Sequence, residues 1–402
     1  MSWPVIKFSE AISRSGLFSD GDWVESKDQD PEGDVRLIQL ADIGVGEFID
    51  KSNRFMTSKR ADELRCSYLK AGDILVARMP DPIGRACIFP EDMGRCVTVV
   101  DICIVRPDSE RIDNRWLMHL INSERFRNQI DRHVTGTTRQ RISRGNLAGL
   151  EIPLPPLPEQ KRIAAILDKA DAIRRKRQQA IQLADDFLRA VFLDMFGDPV
   201  TNPKGWPRAA LPDVAEKFTD GPFGSNLKSS HYVEEGVRVI RLQNIGVGSL
   251  LDDDLAFISE EHYQSLPRNH CQPGDVIVGT LGDPNLRACI IPEGLSAALN
   301  KADCLLFRPS DDKVLAEYIC WLLNNPSLVE SAAGLVRGQT RGRISLGRLK
   351  ELEIPIPSLS EQERFRSVVR KLLDVQVKIN SSCGGFSDAF SSLSQKAFSG
   401  QL

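Results

Sequence analysis

A chain whose two halves repeat each other in register has to fold as two copies of one unit. This sequence, aligned with itself at an offset of 202, keeps its register without a gap from Val35 to the last helix-period segment. Val35 to Asp50 (VRLIQLADIGVGEFID) and Val237 to Asp252 (VRVIRLQNIGVGSLLD) agree at nine of sixteen positions, and Gly136 to Ile163 and Gly338 to Phe365 agree at seventeen of twenty-eight. Between them Gly72-Asp73 matches Gly274-Asp275, Arg85 to Ile88 matches Arg287 to Ile290, and Arg106-Pro107 matches Arg308-Pro309. The starts also correspond, Trp3-Pro4 to Trp206-Pro207, with a one-residue slip. The chain has 402 residues, 41% of them hydrophobic, which is enough for more than one core.

Each repeat runs through the same elements. Short segments rich in Val, Ile and Leu, cut by Gly, Pro and Asp, read as strands and turns, as in Asp73 to Ala77 and Asp275 to Gly279. Trp116 to Ile121 and Tyr318 to Leu323 read as one face of a short helix. A proline-rich bridge follows, Ile152 to Pro158 or Ile354 to Leu359, and then a long helix-period segment. The expected division is therefore a first module over residues 1–157, a helix over 158–198, a second module over 199–359 and a C-terminal helix over 360–402.

The two helical segments carry apolar stripes at coiled-coil spacing. The first uses Ile163, Leu167, Ala170, Ile173, Ile181, Ala184, Phe187, Val191 and Met195; the second uses Phe365, Val369, Leu372, Val375, Ile379, Phe386, Ala389, Leu393 and Ala397. A helix of about 38 residues cannot bury such a stripe alone, so the expectation is an antiparallel coiled coil with the modules at opposite ends and a pseudo-twofold between the halves. Pro158 suits a first turn, Ser360 with Glu363 suits a capping box, and Gly384-Gly385 predicts a kink. The fold class is α+β, strand-rich mixed modules joined by these helices.

The net charge of −3 argues against a protein that coats nucleic acid indiscriminately, so any footprint must be local. Arg125 to Arg144 holds six Arg against one Asp, and Arg337 to Lys350 holds four Arg and one Lys with no acid. Asp20 to Asp34 runs the other way, with seven acids and one Lys, and reads as a solvated loop. Catalytic signatures are missing: no GxxxxGK[ST] loop, no GxGxxG turn and no NPPY- or DPPY-type tetrad occurs, and Glu25-Ser26-Lys27 has no supporting acid and no second copy. Five histidines lack ligand spacing, and nine cysteines lack any CxxC pair and read as buried thiols. No apolar run is long enough to span a bilayer and the N-terminus lacks a signal-peptide pattern, which predicts a cytoplasmic protein.

These features together resemble the specificity subunits of type I restriction-modification systems. The resemblance rests on the GDI-type strand, the Arg-Ala-Cys-Ile segment, the G-x-T-R-x-R-I-S loop (Gly136 to Ser143, Gly338 to Ser345), the PLPPLPEQKRI and PIPSLSEQERF helix entries, and the order module, helix, module, helix. It implies two target recognition domains, each reading one half of a bipartite, asymmetric double-stranded DNA target. It also implies helices that dock two modification (methyltransferase) subunits and, through them, restriction subunits. The chain itself would then be non-catalytic and hold no cofactor, with S-adenosylmethionine, ATP and Mg on the partners. A duplicated protein-interaction scaffold, or the recognition subunit of a solitary methyltransferase, are the competing readings. The first module departs near its start, where Asp20-Gly21-Asp22-Trp23 stands in place of Asp220 to Ser225 (DGPFGS).

Duplication separates candidate residues by role, because both modules must hold the same backbone while reading different bases. Shared residues are expected on phosphate: Arg85 and Arg287, Arg139 and Arg341, Arg141 and Arg343, with Thr138 and Thr340 as hydroxyl donors. Divergent residues are expected on bases: Arg78 and Thr280, Thr137 and Gln339, and Gln140 opposite Gly342. Arg174 to Arg177 are candidates for a partner or DNA surface. The two half-sites are expected about one helical turn apart.

Overall fold

The structure is a computed structural model that describes residues 3–12, 16–252, 254–282, 284–295, 297–334, 342–381 and 386–402, with the side chains of 376–381 and 386–389 outside the description. The chain divides into two compact units, Met1–Gln178 with Cys383–Leu402, and Gln179–Ser382.

In the first unit the strand Ile74–Ala77 is buried on both faces, which is why its sequence lacks alternation. It lies inside a four-stranded antiparallel sheet, ordered Leu17–Asp20, Ile102–Arg106, Ile74–Ala77, Ala86–Ile88. One face packs on the helix Asn114–Ile121 through Ile74, Val76, Val105, Trp116 and Leu117; the other packs Leu75, Ala77 and Ile104 against Ile38 and Ile43. A smaller sheet orders Phe55–Met56, Val35–Ile38 and Cys96–Thr98, the last two parallel. A ribbon of Val5–Lys7 with Glu151–Pro153 closes the unit.

The second unit repeats this plan. Its four-stranded sheet is Ala215–Thr219, Cys304–Pro309, Val276–Gly279, Arg287–Ile290, and its ribbon is Arg208–Ala210 with Glu353–Pro355. The smaller sheet has two added edge strands, giving Tyr232–Val233, Phe257–Ile258, Val237–Ile240, Ala298–Asn300, His270–Cys271.

The repeated motifs account for themselves as architecture. Arg106 chelates the buried Asp73 (2.6 and 2.7 Å), and Arg308 chelates Asp275 (2.8 and 2.9 Å), so Gly-Asp and Arg-Pro recur because they form one bidentate pair. Gln160 and Gln362 are fully buried at the helix entries. Gln160 accepts from Asp113 N–H and donates to the Arg111 and Pro155 carbonyls; Gln362 does the same with Leu315, Lys313 and Pro357. Each glutamine clamps its helix to its module. The eight described cysteines are buried and unpaired, while Cys383 lies outside the described residues.

Leu157–Phe196 is one 40-residue helix, and the C-terminal segment supplies Leu359–Ser381 and Phe386–Ser399. Within the first unit the start of the long helix runs antiparallel to the C-terminal one: Ile163, Ala164 and Leu167 share a core with Ala397 and Phe398, Arg162 donates to the Leu402 carbonyl, and the Arg174 guanidinium lies 5.7 Å from the Phe390 ring centre. Within the second unit Leu188, Phe192 and Phe196 meet Phe365 and Val369, again antiparallel, with Phe192 stacked on Tyr318 at 5.7 Å.

The expected stripe needs correction. Ile163 and Leu167 are buried, yet Ile173, Ile181, Phe187 and Val375 are exposed, and the buried positions late in the long helix are Leu188, Phe192 and Phe196, one residue on from Phe187, Val191 and Met195. A straight helix drifts by about 20° per heptad against a strict 3.5-residue repeat, and here each end turns toward its own module. Ser358, and not Ser360, stands before the C-terminal helix and accepts from Glu361 N–H at 3.4 Å. Gly384-Gly385 and the predicted kink lie outside the described residues.

Candidate nucleic-acid interface

Residues 135–141 of the first unit close a tight loop. Thr135 and Arg141 exchange backbone hydrogen bonds at 3.0 and 2.9 Å, and Gly136 takes φ +97°, where an added Cβ would sit 2.4 Å from the Arg139 carbonyl. The tip therefore needs glycine and presents Thr137, Thr138, Arg139, Gln140 and Arg141, all exposed. Neither Arg139 nor Arg141 ion-pairs with a described acid. The rest of the repeated motif is structural: Ile142 is fully buried, its N–H bonds the Arg78 carbonyl, and Ser143 caps the helix Arg144–Gly149 through Asn146 N–H at 3.0 Å.

In the second unit Gln339, Thr340 and Arg341 lie outside the described residues. Arg343 is described and engaged: it pairs with Asp220 (2.8 Å) and Asp303 (2.7 Å), and its guanidinium lies 4.8 Å from the Phe223 ring centre. Burial holds the Asp220 carboxyl above its usual pKa, against the opposing pull of Gly221 N–H and Arg343.

Four of the expected contact residues are turned inward. Arg85 is 7% exposed and its guanidinium donates to the carbonyls of Ile43, Met79, Pro82 and Leu40, while Arg287 donates to Ile245, Leu242 and Pro284. Burial holds the Arg85 pKa below its ordinary value. This pair of arginines is shared as donors to loop carbonyls outside the strand ladders, a place turned away from the phosphate contact expected of it. Arg78 is 6% exposed, donates to Val100 and Ile142 carbonyls and pairs with Asp20 at 3.3 Å. Thr280 is fully buried and donates to the Asp303 carbonyl. Both side chains are engaged within the module, not at the surface where base contacts were expected. Arg174 and Arg175 are likewise engaged, both with Asp171, and Arg175 also with Glu47 of the first module's loop.

The acidic run is solvated except at Asp28, which is buried against Arg60, and at the half-buried Asp22, which accepts from Ser67 N–H at 2.9 Å. The strands fix the register of the stretch that departs in sequence near the start of the first module. Phe18 lies opposite Val105 and Phe218 opposite Phe307, so these first strands match at an offset of 200. Asp20-Gly21 then corresponds to Asp220-Gly221. Both glycines pass so close to a neighbouring backbone that a Cβ would lie 2.2 Å from the Val99 carbonyl or 2.0 Å from that of Lys301. Two residues after each Asp-Gly start comes an exposed aromatic: Trp23, 71% exposed, and Phe223, 44% exposed. Among the described residues no cluster of His, Cys, Asp and Glu could hold a metal ion, and no helix is long and apolar enough to cross a membrane.

The type I restriction modification DNA specificity domain family matches residues 21–183 and 274–382, about two thirds of the chain, and the protein belongs to this family. The MjaVIII type I restriction enzyme specificity subunit of Methanocaldococcus jannaschii is 23% identical over 249 residues, spanning 58% of each chain, so the match covers little more than half of that relative. The EcoBI specificity subunit of Escherichia coli is 20% identical over 328 residues, 75% of this chain and 68% of its own. The crystal structure of a type I S subunit from M. genitalium shares the fold over 99% of this chain and 96% of its own, with a TM-score of 0.59 at 16% identity.

Proposed function

We propose that this chain is the non-catalytic sequence reader of a type I restriction-modification complex. Each module contacts one half of a bipartite double-stranded DNA target, and the helices dock two modification subunits that bring S-adenosylmethionine, with ATP- and Mg-dependent restriction subunits joining through them. The observation that carries the reading is the glycine-hinged tip of Thr137 to Arg141, whose two arginines are exposed and ion-pair with no acid among the described residues, in a family defined by DNA specificity. Arg139, Arg141 and Thr138 hold phosphate, while Gln140 and Thr137 face the bases that differ between half-sites; in the second module Arg341 and Thr340 hold phosphate and Gln339 faces a base.

The test is a fluorescence-anisotropy titration of the full chain with duplex DNA across a range of salt. Affinity should fall steeply and linearly on a log–log plot as salt rises. Equal binding to duplex DNA and to an uncharged polymer control, or no salt dependence, would instead favour a protein-interaction scaffold.

A further inference from the structure

We propose that Trp23, and Phe223 at the equivalent place in the second module, stack on DNA bases, so that each module engages its half-site through an aromatic as well as a basic loop. The inference rests on the DNA-reading function above and deepens it. Trp23 is the one tryptophan of the five whose ring is largely exposed: Trp116 and Trp321 are buried and Trp3 and Trp206 half-buried. A lone exposed aromatic is ordinary on a protein surface; what singles out Trp23 is the cleft it borders.

The surroundings indicate what the ring meets. Trp23 borders a cleft of about 500 Å³ whose walls combine Val24, Leu40 and Val99 with the carboxylates of Asp22, Glu25 and Asp101, and its indole N–H donates to Glu25 at 3.2 Å. Those carboxylates repel a phosphate. A base drawn out of the duplex stack suits the same cleft, because it is uncharged, then offers a free π-face to the indole and carries amino donors for the carboxylates. The basic tip adjoins it: Arg78 donates to the Val100 carbonyl at the cleft and to the Ile142 carbonyl at the root of the Arg139–Arg141 loop, and Asp20, three residues before Trp23, pairs with Arg78 and with Arg144. Phosphate-holding and base-stacking groups are thus carried on one support. In the second module Arg343 plays the joining part itself, pairing with Asp220 and lying against the Phe223 ring.

Intrinsic tryptophan emission of the full chain, titrated with duplex DNA while binding is followed by anisotropy, tests this. Stacking should quench the wild type, and Trp23→Phe should bind as tightly while losing most of the quench. Trp23→Ala should weaken binding about tenfold with the salt slope and the melting temperature unchanged. Quenching of Trp23→Phe equal to wild type, or wild-type affinity in Trp23→Ala, would overturn the proposal. So would a Trp23→Ala chain that binds DNA normally but no longer retains its modification subunit, which would make the ring a protein contact. Absence of wild-type DNA binding would overturn the DNA-reading function itself, a separate result.

Discussion

The two modules solve one electrostatic problem in opposite ways. Both place an aspartate at the end of the first strand of the main sheet, Asp20 in one and Asp220 in the other. In the first module the buried Arg78 neutralises it, and Arg141 at the loop is left exposed. In the second, position 280 is a buried threonine, and the loop arginine Arg343 turns back to pair with Asp220 and Asp303. The lesson is that duplicated arginines need not keep duplicated roles. A single substitution at the support decides whether the loop cation serves the fold or remains available outside it.

The largest effect should follow from removing that support. Arg78→Ala leaves Asp20 only the longer pair with Arg144 and strips the donor from two carbonyls, and should destabilise the first unit by about 2 kcal/mol, whereas Thr280→Val, which loses one hydroxyl bond, should cost about 1 kcal/mol or less. Chemical denaturation of the two variants measures the ratio, and equal losses would break the contrast. Next, Arg139→Ala and Arg141→Ala should leave stability unchanged and each lower the slope of log affinity against log salt by about one unit. Arg343→Ala should instead lower stability, because it leaves Asp220 and Asp303 without their cation.

A smaller difference concerns acid. Asp42 is buried, which alone would raise its pKa, but the Ser52 hydroxyl and the N–H groups of Gln39, Ser52 and Lys51 hold it below the ordinary carboxylate value. Its counterpart Asn244 takes the Arg241 N–H at 3.0 Å and does not titrate. A depressed folded pKa means that Asp42 contributes stability fully present above the unfolded value of about 3.9 and lost as pH falls through the folded one. The first unit should therefore weaken in that window, and Asp42→Asn should flatten the dependence. A parallel acid profile in wild type and variant would assign the effect elsewhere.

Much of the fold was legible because it was written twice: the strand at Ile74, the short helix at Trp116 and the helix entries at Gln160 and Gln362 all stand where the repeat put them. The seam was read one residue out near Phe192, since a spacing rule does not know which way a helix rotates to meet the tyrosine and phenylalanine beside it. The site was less legible. Arg85 and Arg139 look alike in sequence, and only the loop carbonyls gathered around Arg85 decide that it belongs inside. Trp23 escaped because its stretch, though set against Asp220 to Ser225, was read as a departure with an acidic, solvated loop, whereas the strands carry Asp20-Gly21 and Asp220-Gly221 at the same place.

The most direct test of one module for one half-site is to exchange residues 1–157 for the corresponding module of a relative and map methylated DNA motifs in cells carrying the modification subunit. One half of the motif should change and the other should stay as it was; a change in both halves, or in neither, would contradict the account.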